Sequence, residues 1–211
     1  MPSLFSAGVL LTVLATAALV AAEGRGSFVG RAVTKPLAST GFLLAAVGAG
    51  ALDSSAGRAV LAALALSFLG DVLLIPSATF LLGLGAFLLG HLAFAVAFVL
   101  RGVDPATSLV ATAALAVPSF LVSRWLLPHV PSPMKAPVVV YVAVITLMTG
   151  LAFGASALEA RPIAVIAAVA FAVSDVSVAR DRFVAPGFGN RVWGLPLYYA
   201  AQLAFALDLR G

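Results

Sequence analysis

The chain contains no cysteine, so disulfides, thiolate metal sites and a thiol nucleophile are excluded at once. Charge is almost as scarce: lysine and arginine number 12, aspartate and glutamate 8, together 9% of 211 residues. A soluble domain carries about 25% charged residues. Histidine occurs twice, too few for a three-histidine zinc site, and neither histidine sits in an HExxH motif. There is no GxSxG elbow for a serine nucleophile. No glycine-rich phosphate loop is present either, because Gly48-Ala49-Gly50 and Gly83-Leu84-Gly85 lie within apolar runs, where they suit close helix packing. Strand alternation is missing, which argues against a β-barrel. No metal or cofactor is expected.

What remains is overwhelmingly apolar: 63% hydrophobic residues and a mean hydropathy of +1.15. A membrane span needs about 20 apolar residues. Segments 4–22, 35–52, 58–75, 79–100, 106–127, 136–156, 161–179 and 192–209 meet that need, separated by glycine, proline and charge. The first has no basic residue before it, as a signal peptide would, and reads as a retained span. Ile75-Pro76-Ser77-Ala78-Thr79 reads as a tight turn with Ser77 as a helix N-cap. The predicted fold is all-α, a polytopic membrane protein with eight transmembrane helices in one bundle and residues 1–211 as a single domain.

Basic residues set the expected orientation. Arg25, Arg31, Lys35, Arg124, Lys135, Arg180, Arg182 and Arg191 fall on one side, and only Arg58, Arg101, Arg161 and Arg210 on the other. Excess lysine and arginine stay cytoplasmic, so both termini are expected outside, in a bacterial inner membrane. The positive charge therefore reports topology and calls for no nucleic-acid partner. A faint repeat is visible, with Lys35-Pro36 and Asp71-Val72 followed about 100 residues later by Lys135-Ala136-Pro137 and Asp175-Val176. Two parallel four-helix halves would produce it, and so would chance in apolar sequence.

Asp71 and Asp175 are the most informative residues. A carboxylate in the apolar part of a span costs about 2.5–3.5 kcal/mol on insertion scales, and such residues usually mark a site or pathway. At about 1.5 Å per residue, each lies roughly 7 Å from the expected cytoplasmic loop. Tyr198 and Tyr199 lie one or two turns into helix eight from that side, Gln202 and His91 lie deeper, and Lys35 stands at the mouth. Polar side chains from helices two, three, four, seven and eight thus share one half of the bilayer. Plainer readings exist for each. The aspartates could pair structurally with a base, His91 could bond a neighbouring helix, and the tyrosines could belong to an aromatic belt. Lys35 could be a topology anchor.

In order, the motifs are Lys35-Pro36-Leu37, Leu69-Gly70-Asp71, Gly83 through Gly90-His91, Ser174-Asp175, and Leu197-Tyr198-Tyr199-Ala200-Ala201-Gln202. Over essentially the whole chain this resembles the YhhN-type lysoplasmalogenase family of integral membrane proteins. The resemblance implies hydrolysis of the vinyl ether bond of lysoplasmalogens to a fatty aldehyde and a glycerophospho-head group. It also implies a lysophospholipid or other single-chain ether lipid as partner, with Asp71 and Asp175 as the catalytic pair. Lys35, His91, Tyr198, Tyr199 and Gln202 would bind substrate or support that pair. The chemistry suits two carboxyls. Vinyl ether hydrolysis starts with protonation at carbon and passes through an oxocarbenium ion, a demand that glycosidases meet with one acid and one base or stabiliser. The competing readings are a proton-coupled transporter and a lipid-binding protein without catalysis.

Overall fold

The computed structural model describes residues 2–160 and 162–210. Among these the chain forms helices α1 (Pro2–Gly24), α2 (Phe28–Gly48), α3 (Ser55–Leu73), α4 (Phe80–Arg101), α5 (Pro105–Leu126), α6 (Ser132–Glu159), α7 (Ile163–Ala179) and α8 (Phe188–Asp208). No strand occurs among the described residues. Six of the helices, some extended by a flanking turn, are long and apolar enough to cross a membrane. The other two, α2 and α8, are 21 residues each, which at about 1.5 Å per residue gives the same reach. Their lower hydropathy comes from the polar side chains that build the site below. The chain is an all-helical, polytopic integral membrane protein.

Local chemistry sets the helix starts. Ser27 caps α2 by accepting Gly30 N at 3.0 Å, and Ser54 caps α3 by accepting Gly57 N at 2.9 Å. Asp104 accepts Thr107 N at 2.8 Å ahead of Pro105, a favoured first helical residue. The Thr107 hydroxyl, and then its backbone N–H, hold the Asp104 carboxyl below the ordinary aspartate range.

Several boundaries depart from the sequence reading, α3 and α8 opening three and four residues early at Ser55 and Phe188 among them. Helix two does not open at Lys35-Pro36: it starts a full two turns earlier, with Pro36 in its interior. Pro137 likewise lies inside α6, which starts at Ser132. Membrane helices tolerate internal proline because neighbouring groups satisfy the freed carbonyl, so proline was a poor boundary mark here. Ser77 caps no helix. It begins a 3-10 turn, Ser77–Thr79, in which the Thr79 hydroxyl donates to Leu73 O at 2.5 Å. Arg161, part of the charge count above, lies outside the described residues.

Sequential helices pair as the hairpins α1–α2, α3–α4, α5–α6 and α7–α8, with further packing of α4 on α6, α2 on α3, α6 on α7, and α8 on α1 and α2. Small residues permit the closest crossings. A Cβ at Gly8 would run into the backbone of Gly41 and Ala45, and one at Gly48 into the backbone of Leu4 and Phe5. In a membrane such contact replaces the hydrophobic effect as the source of helix association. An aromatic seam fills the centre, with Phe94 and Phe205 stacked at 3.9 Å and Phe171 stacked on His91 at 4.3 Å.

The bundle has two unlike ends. The termini end carries the start of α1 and the end of α8, and there Arg101 of α4 pairs with Glu159 of α6 and Asp208 of α8. The opposite, mouth end carries the hairpin loops. Helix α5 spans both but buries only Ser108 and Leu126. Near the termini end, Gly154 and Gly150 of α6 leave room for Ser108 and Thr112. Towards the mouth, Pro118 and Val122 of α5 instead face a cavity.

Candidate active site

A cavity of about 660 Å3 opens in the mouth half, between α5, α6 and α7 on one side and the ends of α2, α3, α4 and α8 on the other. That size lies within the range of small-molecule sites. Its walls are mostly apolar, with Leu84, Phe87, Leu115, Val142 and Ile145 among them. Lys35, Asp71, Tyr141, Asp175 and Tyr198 supply the polar interior, and Glu23, Arg31, Asp181, Arg182 and Arg191 the rim. Both aspartates therefore face one space.

Asp71 lies two residues before the end of α3, where Gly70 beside it lets the Phe87 ring of α4 approach. Its Oδ2 accepts the Ser39 hydroxyl at 2.7 Å and the Tyr198 hydroxyl at 2.7 Å. Lys35 Nζ stands 3.5 Å from Oδ1. Lys35 and Ser39 are four residues apart on α2, hence on one face. All of these groups are buried. Burial of the carboxyl disfavours its charge, and the two hydroxyl donors and the ammonium around it act against that cost.

Asp175, in the last turns of α7, is held differently. Tyr141 of α6 donates to its Oδ2 at 3.3 Å, and His91 Nε2 of α4 stands 3.3 Å from the same oxygen, off hydrogen-bond geometry. His91 Nδ1 lies 2.7 Å from the carbonyl oxygen of Phe87. The imidazole is fully buried between Phe171 and Tyr141, and does not itself line the cavity.

Of the residues singled out from sequence, Lys35, Asp71, Asp175 and Tyr198 line the cavity, and His91 stands directly behind Asp175. Tyr199 and Gln202 are buried behind the wall. Tyr199 faces Ser39 and Asp71 without an aligned hydrogen bond, and neither amide atom of Gln202 has a partner among the described residues. Lys35 is buried beside Asp71 on the cavity wall. Its counterpart in the faint repeat, Lys135, is exposed, so the two halves are not equivalent here.

Sequence reasoning missed Tyr141 and Ser39, which contact the two aspartates. Ser39 could have been found from its spacing to Lys35. Tyr141 was discoverable as the one remaining tyrosine of three. The rim was also missed as a network: Arg191 pairs with Glu23 at 2.6 Å and Asp181 at 3.1 Å, tying α8 to α1 and to the π-helical turn after α7.

A helical membrane protein with two carboxyls at one internal cavity defines a class broader than any single activity. Comparison with known proteins narrows it. The sequence model of the YhhN family matches residues 30–209, and the chain belongs to that family. Curated relatives include a lysoplasmalogenase of Mycobacterium bovis, 33% identical over 216 residues covering 97% of this chain and 78% of the relative. A lysoplasmalogenase of Mycobacterium tuberculosis gives the same figures, 33% over 216 residues. Lysoplasmalogenase TMEM86A of Bos taurus is 31% identical over 153 residues, 69% of this chain and 62% of that protein. No solved structure matches the chain.

Proposed function

We propose that this protein is a membrane-embedded lysoplasmalogenase, hydrolysing the vinyl ether bond of a single-chain ether lipid with Asp71 and Asp175. The observation that carries this reading is that both intramembrane carboxyls face one largely apolar cavity, together with relatives that bear that enzyme's name. The hydrocarbon tail lies along the apolar wall of α5 and α6, and the glycerophospho-head group lies towards Lys35 and the rim arginines. One aspartyl group protonates the vinyl carbon, and the other stabilises the oxocarbenium ion and orients water. A fatty aldehyde and a glycerophospho-head group leave. By the excess of basic residues at the mouth end, that end is cytoplasmic in a bacterial inner membrane, with both termini outside. The whole chain acts as one transmembrane domain.

A proton-coupled transporter would need a polar route to both faces. No residue lining the cavity comes from the cluster of Arg101, Glu159 and Asp208 at the termini end, which favours a blind site and therefore an enzyme. The test is aldehyde release from lysoplasmalogen by purified protein in lipid nanodiscs. Wild type should release aldehyde, and Asp71→Asn and Asp175→Asn should each lose at least about 100-fold, as expected on removal of a positioned acid or base. Wild-type protein that releases no aldehyde from any vinyl ether lipid would remove the reading.

A further inference from the structure

We infer that Asp175 and His91 hold a single transferable proton between them, making Asp175 the acid of the site and His91 its positioning residue, while Asp71 remains the anion. The catalytic half of this inference rests on the hydrolase reading above; the proton assignment does not.

Proton bookkeeping around His91 carries the argument. Nδ1 lies 2.7 Å from the Phe87 carbonyl oxygen, and a carbonyl has no proton to give, so Nδ1 carries one. If the ring is neutral, Nε2 then presents a lone pair. Nε2 stands 3.3 Å from Asp175 Oδ2, close though not aligned as a hydrogen bond, and an ionised carboxylate is also acceptor-only. Two bare acceptors buried at that distance would repel. One further proton removes the conflict, on Nε2 as an imidazolium or on Asp175 as a carboxylic acid. Tyr141 sits on the same oxygen at 3.3 Å and serves either form. Other ionisable groups lining the same cavity are Tyr198, Asp71 and Lys35, with Glu23, Arg31, Asp181, Arg182 and Arg191 at its rim. Asp71 has no such need, because Ser39, Tyr198 and Lys35 already supply its donors.

The arrangement gives a balanced reaction. The proton moves from Asp175 to the vinyl carbon remote from the ether oxygen, so a C–H bond forms as the C=C π bond is consumed. The ether oxygen carries the resulting positive charge beside anionic Asp71. Water adds to the cationic carbon and its surplus proton returns to the Asp175–His91 pair. That proton then protonates the ether oxygen, the C–O bond breaks, and the hydroxyl proton of the departing aldehyde restores the pair. One water is consumed and no oxidant is required. His91 never touches substrate, because it is sealed behind Asp175.

The experiment has two arms. In the first, His129→Asn leaves His91 as the single histidine, and 15N-imidazole NMR is recorded at pH 7 on the full chain in nanodiscs. A protonated Nδ1, with an Nε2 signal that shifts on Asp175→Asn, is expected. An Nε2–H tautomer with bare Nδ1, or an Nε2 signal indifferent to Asp175, overturns the proton pair. In the second, His91→Gln should lower kcat about 100-fold with KM within about threefold, as loss of an acid step does. A proportional loss of folded protein with kcat per folded molecule unchanged overturns the positioning role. If His91→Gln does not fold, the NMR arm alone decides. If wild type releases no aldehyde while the NMR result holds, the hydrolase reading fails and the proton pair survives.

Discussion

Asp71 and Asp175 share a cavity, yet the protein treats them as opposites. The Asp71 side chain is 3% exposed, and two hydroxyls at 2.7 Å and an ammonium fix it in place. The Asp175 side chain is 15% exposed and its two partners stand 3.3 Å away. Tight, ionic ligation suits a group that must stay charged through a cycle, and looser contact with a histidine suits a group that must give up a proton and recover it. Two identical side chains at similar depths thus acquire different chemistry from their neighbours.

Substitution at the two positions should separate them most sharply in stability. Asp71→Asn leaves Lys35 buried without its counter-charge, and breaking a buried pair costs about 3–5 kcal/mol. Asp175→Asn keeps the shape and a donor for His91 and should cost under about 1 kcal/mol. Unfolding in matched detergent, followed by circular dichroism, reads both. Equal losses would break the distinction.

Removing one hydroxyl from each side refines the comparison. Tyr198→Phe deletes a short bond to an anion and should cost about 1.5–3 kcal/mol of transition-state stabilisation, read as kcat/KM in the aldehyde assay. Tyr141→Phe deletes a longer bond and should cost about 1 kcal/mol or less. A reversed order would mean that Asp175, not Asp71, is the group held as an anion.

The smallest effect on turnover is expected at the far end of the molecule. Arg101→Ala opens the cluster with Glu159 and Asp208 and should lower thermal stability, while aldehyde release per folded molecule stays within about twofold. A large change in turnover would show that the termini end belongs to the site, which would revive a path through the bundle.

Much of this was legible in the sequence, for physical reasons. Long apolar runs can only be spans, and a carboxyl within one must be accounted for, so the helices and both aspartates stood out. Helix starts were less legible, because the caps Ser27 and Ser54 lie outside the apolar runs, and α2 and α3 open before the runs do. Pro36 and Pro137 misled because a membrane helix absorbs proline that would end a soluble one. Tyr141 and Ser39 stayed hidden because a hydroxyl in an apolar segment has the same pattern whether it caps a turn, bonds its own helix or serves a carboxylate. Ser67, for example, merely bonds Ala63 O at 3.0 Å. Only the tertiary fold separates these cases. Gln202 and Tyr199 lie behind the cavity wall rather than on it, which depth along a helix could not show, since facing depends on its neighbours.

Helix α5 packs closely near the termini end and offers one side to the cavity near the mouth, and of its residues only Ser108 and Leu126 are buried. A site with so thin a wall answers to the membrane more than to water. The quantity that would govern its occupancy is the mole fraction of substrate among the surrounding lipids, so diluting the bilayer with inert phospholipid would slow the reaction even at constant bulk concentration. A long-chain aldehyde formed there would partition back into the same bilayer, so the membrane would act as both reservoir and sink.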